Sequence, residues 1–119
     1  MLSPFLARVT DSQGGGLSPE KVGRALKMSI ADLSRLTRLH RNTLSRTPGS
    51  PSVQARVGEV ARIVSAAAEM IGDEAGAAVW FRHQPLAGFS GRTAEELVAA
   101  GHADAVLEHL DQLADGGYV

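Results

Sequence analysis

Between Val53 and Met70 the apolar side chains recur at steps of three and four: Val53, Val57, Val60, Ile63 or Val64, Ala67 and Met70. That spacing keeps them on one face of a 3.6-residue helix and predicts a long helix, begun by Ser50-Pro51 or by Ser52. The same test, run from Leu17 onward, finds only helices. Ser18 is an N-cap with Pro19 at the first helical position, and the helix it opens runs to about Lys27 with Val22, Ala25 and Leu26 on one face. Ser29 with Asp32 three residues on is a capping-box variant that opens a short helix through Leu36 or Thr37. Its inward residues are Ile30, Leu33 and Leu36. A turn at Arg38-Leu39-His40 leads to a second short helix, Arg41 to Arg46, closed by Pro48-Gly49.

Past the long helix, the pattern gives a shorter one from about Asp73 to Phe81 or Arg82. An irregular loop from His83 to Gly91 follows, holding Pro85, Gly88 and Gly91. Thr93-Ala94-Glu95-Glu96 is a capping box opening a helix that ends at Gly101. The last helix, about Ala103 to Ala114, buries Val106, Leu107, Leu110 and Leu113 and is stopped by Gly116-Gly117. No alternating strand pattern and no repeat is present. The expected fold is therefore all-α: a small helical bundle with an N-terminal helix-turn-helix module and a C-terminal helical module.

Residues 1–16 carry no periodicity and end in Gly14-Gly15-Gly16, which reads as a flexible arm with at most a short turn near Pro4 to Val9. The triple glycine is no phosphate loop, since no strand precedes it and no Lys-Ser/Thr follows. The expected organisation is this arm, then residues 17–71 as helix-turn-helix plus long connecting helix, then residues 72–119. With 44% apolar residues the chain has ample material for a core. It has no cysteine, which excludes disulfides, thiol nucleophiles and zinc fingers. The first 16 residues are not a signal peptide and no apolar run spans a bilayer, so a soluble, cytoplasmic protein without a membrane partner is expected.

Charge changes the picture most. Residues 21–62 hold nine basic side chains against Asp32 and Glu59, a net charge of +7. Residues 63–119 hold Arg82 and Arg92 against nine acids, a net charge of −7. The near-neutral whole is a basic module joined to an acidic one, which implies two partners, the first a polyanion such as operator DNA. The two short helices have helix-turn-helix dimensions, and the second presents Arg41, Asn42, Ser45 and Arg46 to a major groove. Arg reads guanine, Asn reads adenine, and Ser contacts base edges or phosphate. Arg35 and Arg38, with Arg24 and Lys27, suit phosphate contacts, which set affinity rather than sequence preference. The alternative is a solvated basic face. Against the motif, its turn carries Arg38 where glycine is usual.

In the acidic half, Trp80-Phe81 closes one helix, a loop runs Pro85 to Gly91, and Gly91-Arg92-Thr93-Ala94-Glu95-Glu96-Leu97-Val98 follows. Then come Gly101 and a terminal helix ending Gly116-Gly117-Tyr118-Val119. This stretch resembles the toxin-binding domain of the Xre/ParS/MbcA-type antitoxins, in which a basic Xre-like helix-turn-helix precedes that domain. The chain departs from many relatives at Ala94, where they have Pro, and at Phe81, where they have Leu. The resemblance implies a type II antitoxin without catalytic chemistry. Its partner would be a RES-domain toxin of ADP-ribosyltransferase-like fold that uses NAD. The antitoxin would cover that toxin with its C-terminal end at the NAD pocket, and alone or in the complex would repress its own operon. It also implies a homodimer or a toxin–antitoxin hetero-oligomer.

Residue chemistry agrees. A pocket for dinucleotide phosphates is basic, and Glu108, Asp111, Asp115 and the Val119 carboxylate complement it. The expected toxin-binding residues are these with Trp80, His83, Gln84, Arg92, Gly116, Gly117 and Tyr118, though Trp80 as a large aromatic also reads as core. Catalysis has no constellation behind it. His102 and His109 sit near Glu108 and Asp111 but lack the zinc-protease spacing, and Ser18, Ser45 and Ser90 lack a nucleophile elbow. No catalytic residue, metal or cofactor is expected. The rival reading is a stand-alone helix-turn-helix repressor whose acidic half dimerises.

Overall fold

The computed structural model describes residues 3–14 and 16–116. Among them are eight helices: α1 (Pro4–Val9), α2 (Pro19–Ala25), α3 (Ile30–Thr37), α4 (Arg41–Arg46), α5 (Pro51–Ile71), α6 (Glu74–His83), α7 (Ala94–Ala99) and α8 (Ala103–Ala114). The only β pairings among the described residues are isolated bridges, Thr10 with Leu17 and Pro85 with Thr93. The fold is the all-α bundle that the periodicity predicts.

Local chemistry explains the starts. Ser18, Ser50, Asp73 and Thr93 each accept a backbone N–H three residues on, using one of the orphan donors of a helix N-terminus. Pro19 and Pro51 occupy first-turn positions where their missing N–H costs nothing. The long helix stops at Gly72, whose φ of 84° is left-handed and whose N–H donates to the Ala68 carbonyl.

Helix α5 is the spine. Its face of Val53, Val57, Val60, Ile63, Val64 and Ala67 is fully buried, and α1, α2, α6 and α8 pack against it. Helix α7 closes the far side, lying on α3, α6 and α8. The buried residues form one continuous cluster from Phe5 to Leu110, so both halves share a core.

Two expectations are corrected. The arm expected over residues 1–16 contains α1, capped by Ser3 Oγ accepting from Leu6 N at 3.1 Å, with Phe5 and Val9 only 3% and 1% exposed. Two buried residues four apart in a six-residue helix are too few for a periodic signal. Ile30, expected inward, is 40% exposed: it is the first residue of α3, and the buried face of that helix begins at Leu33. The chain between α1 and α2 is also tied down: Gln54 of α5 accepts from Leu17 N at 2.9 Å and donates to Leu17 O and Pro48 O at 2.8 Å each.

Candidate functional site

Helices α3 and α4 form the helix-turn-helix. Leu33, Leu36 and Thr37 fix α3 to the body, and Leu44 alone buries α4. The turn between them takes its left-handed residue from Arg38, at φ 60° and ψ 32°. A β-carbon makes that conformation costly, and the turn is held from its neighbours. Ser34 Oγ donates to Leu39 O at 2.5 Å, and His40 caps α4 by accepting from Asn42 N on Nδ1 at 3.0 Å. With Leu44 anchored, Arg41, Asn42, Ser45 and Arg46 all stand exposed on α4.

Arg35 is exposed and ion-pairs with Asp32. Asp32 is a member of the α3 capping box, accepting from Ser29 N at 3.2 Å while Ser29 Oγ accepts from Asp32 N at 3.1 Å. The Ser29 amide, more than the Arg35 charge, holds the Asp32 carboxyl below the usual aspartate range. Arg38 does not point away from the protein as an isolated clamp would. Its guanidinium lies beside Gly101, in the corner between α7 and α8.

In the acidic half, the chain from Gln84 to Arg92 is a closed hairpin rather than an open loop. Leu86 N donates to Arg92 O at 2.9 Å and Arg92 N to Phe89 O at 3.1 Å. The left-handed residues Gly88, Ser90 and Gly91 supply the reversal. Leu86 anchors it inward at 5% exposure. The Thr93 capping box closes its base: Thr93 Oγ1 accepts from Glu96 N at 3.1 Å and Glu96 Oε1 from Thr93 N at 3.0 Å. Phe89 meets His109 of α8 edge to face, with centroids 5.5 Å apart, which seats the hairpin on α8. On α8, Asp104, Glu108, Asp111 and Asp115 are exposed and fall four, three and four residues apart, one acidic stripe. Among the described residues none of the four takes part in an ion pair.

Residues 66–116, from the last turns of α5 to the end of α8, match the family model of the antitoxin Xre/MbcA/ParS C-terminal toxin-binding domain. Over these residues the chain is similar to the toxin-binding domain of the Xre/MbcA/ParS-type antitoxins. A comparison with curated proteins returns no match.

The match starts inside α5, six residues before the boundary expected at residue 72, and includes Ala67, which is fully buried. Trp80 is 6% exposed and packed into the core, as its alternative reading as a core aromatic expects. His83, Gln84, Arg92, Glu108, Asp111, Asp115 and Gly116 are all exposed. Arg92 stays with the hairpin, Nε donating to Phe89 O at 3.3 Å. His83 instead lines a groove of about 270 Å³ with Lys27, Ala78 and Val79, between α2 and α6. Gly117, Tyr118 and Val119 lie outside the described residues.

Sequence reasoning missed Arg82. Its Nε donates to Glu95 Oε1 at 2.8 Å, and Nη1 to Lys27 O at 2.9 Å and Leu26 O at 3.4 Å. It ties the toxin-binding domain to the turn before α3. Nothing in its position along the chain marks it, because its two carbonyl partners lie more than fifty residues away. No described helix is long and apolar enough to cross a membrane.

Proposed function

We propose that this antitoxin neutralises a RES-domain toxin that uses NAD, and that it represses its own operon through α4. The observation that carries the first part is the acidic stripe of α8, unpaired among the described residues and joined through Phe89 and His109 to the hairpin bearing Arg92. Four like charges on one helix face repel each other and cost stability in the free protein. A basic pocket for a dinucleotide's phosphates relieves that repulsion and is steered onto the stripe. On this reading Tyr118 and Val119, which follow α8 in the sequence, contact the mouth of that pocket.

The repressor part is supported by the exposed set Arg41, Asn42, Ser45 and Arg46 and by the net charge of +7 over residues 21–62. Arg41 and Asn42 have the donor patterns for guanine and adenine edges. The protein works in the cytoplasm, as a homodimer or in a hetero-oligomer with the toxin, and performs no catalysis.

The test is co-expression with the RES-domain toxin and an assay of NAD turnover in the purified complex. Glu108→Lys with Asp111→Lys is expected to lower affinity at least tenfold, mainly through a slower association rate at low salt. A chain ended after Asp115 is expected to bind the toxin yet leave residual NAD turnover. Complete inhibition by that truncation assigns neutralisation to the hairpin and α8 alone. Unchanged binding by the double charge reversal overturns the stripe as the interface. For the repressor part, no gel shift on the protein's own promoter at low salt, with or without toxin, removes the DNA role.

A further inference from the structure

Two arginines cross between the halves of the molecule, and they are held differently. Arg82 is pinned by one carboxylate and two carbonyls, with its side chain 24% exposed. Arg38 crosses in the opposite direction, from the helix-turn-helix to the toxin-binding domain. It is exposed, and among the described residues no ion pair holds it. A β-carbon at position 101 would stand 2.6 Å from Arg38 Nη1 and 3.4 Å from Cζ, so the guanidinium lies against bare backbone. Gly101 has φ +92°, and its N–H donates to Val98 O at 2.9 Å in the turn that aims the chain into α8. The position therefore favours glycine twice, for its dihedral and for the cation lying on it.

Such a contact is weak. Dispersion against a few backbone atoms is worth far less than a charge-assisted, bidentate bond from the same group to a phosphate. Arg38 also precedes α4 by only two residues of turn, so an anion reaching the exposed face of α4 arrives beside it.

We propose that Arg38 is a positioning residue shared by the two surfaces. In the free protein its guanidinium covers the corner between α7 and α8. When a polyanion binds at α4, a phosphate draws the guanidinium off and uncovers Gly101. Occupancy of the DNA-facing side is thereby transmitted to the corner from which the toxin-binding helix α8 starts. This rests on the reading of α4 as the DNA-facing helix.

The experiment titrates the full ¹⁵N-labelled chain with a short mixed-sequence DNA duplex at low salt and follows backbone amides. In the wild type the Gly101 and His102 signals are expected to move together with those of α4, at the same midpoint. In Arg38→Gly, which keeps the left-handed turn without steric cost, the α4 signals should still move while Gly101 and His102 stay still. The slope of log affinity against log salt should then fall by about one phosphate contact. Arg38→Lys should restore the slope. Movement of α4 with Gly101 still in the wild type overturns the proposal. So does Gly101 movement that persists in Arg38→Gly, since the duplex itself then reaches the corner. If no α4 signal moves, the DNA reading fails and takes the proposal with it.

Discussion

Asp32 shows how much one side chain settles locally. It completes a capping box with Ser29 and pairs with Arg35, and the Ser29 amide holds its carboxyl below the usual aspartate range. A carboxylate whose folded pKa is depressed adds stability that is present above its unfolded pKa and lost as pH falls through the folded value. The stability gap between wild type and Asp32→Asn should therefore be constant near neutrality and close in acid. Denaturant melts at stepped pH values check this, and a gap unchanged at the acid end removes the linkage. Thr93 makes the parallel box at the base of the hairpin. Thr93→Ala should cost about 1 kcal/mol by the same measurement. Both boxes were legible in the sequence because S/T-x-x-D/E is a contiguous signal. The ties of Arg82 and Arg38 were not. Each joins residues far apart in the chain, and one ends on a glycine, which has no side chain to advertise a partner.

At the scale of the element, periodicity found seven of the eight helices and missed the shortest-signalled, α1. It also expected an irregular loop over His83 to Gly91, where Gln84 to Arg92 folds into a hydrogen-bonded hairpin whose pairing is carried by backbone. Gln54 is the counterpart in the first half. It sits on a helix dominated by its apolar stripe, yet its amide satisfies both backbone groups of Leu17. Gln54→Ala leaves these part-buried groups without protein partners and should cost about 1–3 kcal/mol. Hydrogen exchange should show the loss at Leu17 and Ser18, whose amides are tied there and to Val9 O. Unaltered exchange at Leu17 would mean that water replaces the amide without penalty.

For the whole molecule, the sequence offers a sign change in charge between residues 62 and 63, and it is tempting to cut the protein there or at residue 72. The packing runs across the cut. Helix α7 lies on α3, α5 supports α6 and α8, and the family match itself begins in the last turns of α5. A fragment of residues 72–119 is deprived of Ala67 and of the α5 face against which α6 and α8 pack. It should show little helix by circular dichroism, whereas residues 17–116 should melt in one transition. A stable, helical 72–119 fragment would show that the charge boundary is also a folding boundary.

A core without a seam also governs how the protein disappears. A cellular protease engages chains that open, and with one core shared by both halves, opening of either is expected to loosen the other. The surfaces proposed to meet the toxin and the operator are therefore expected to share one lifetime. No proteolytic remnant would keep half of the job, so the protection of the cell and the silencing of the operon would be withdrawn in the same event.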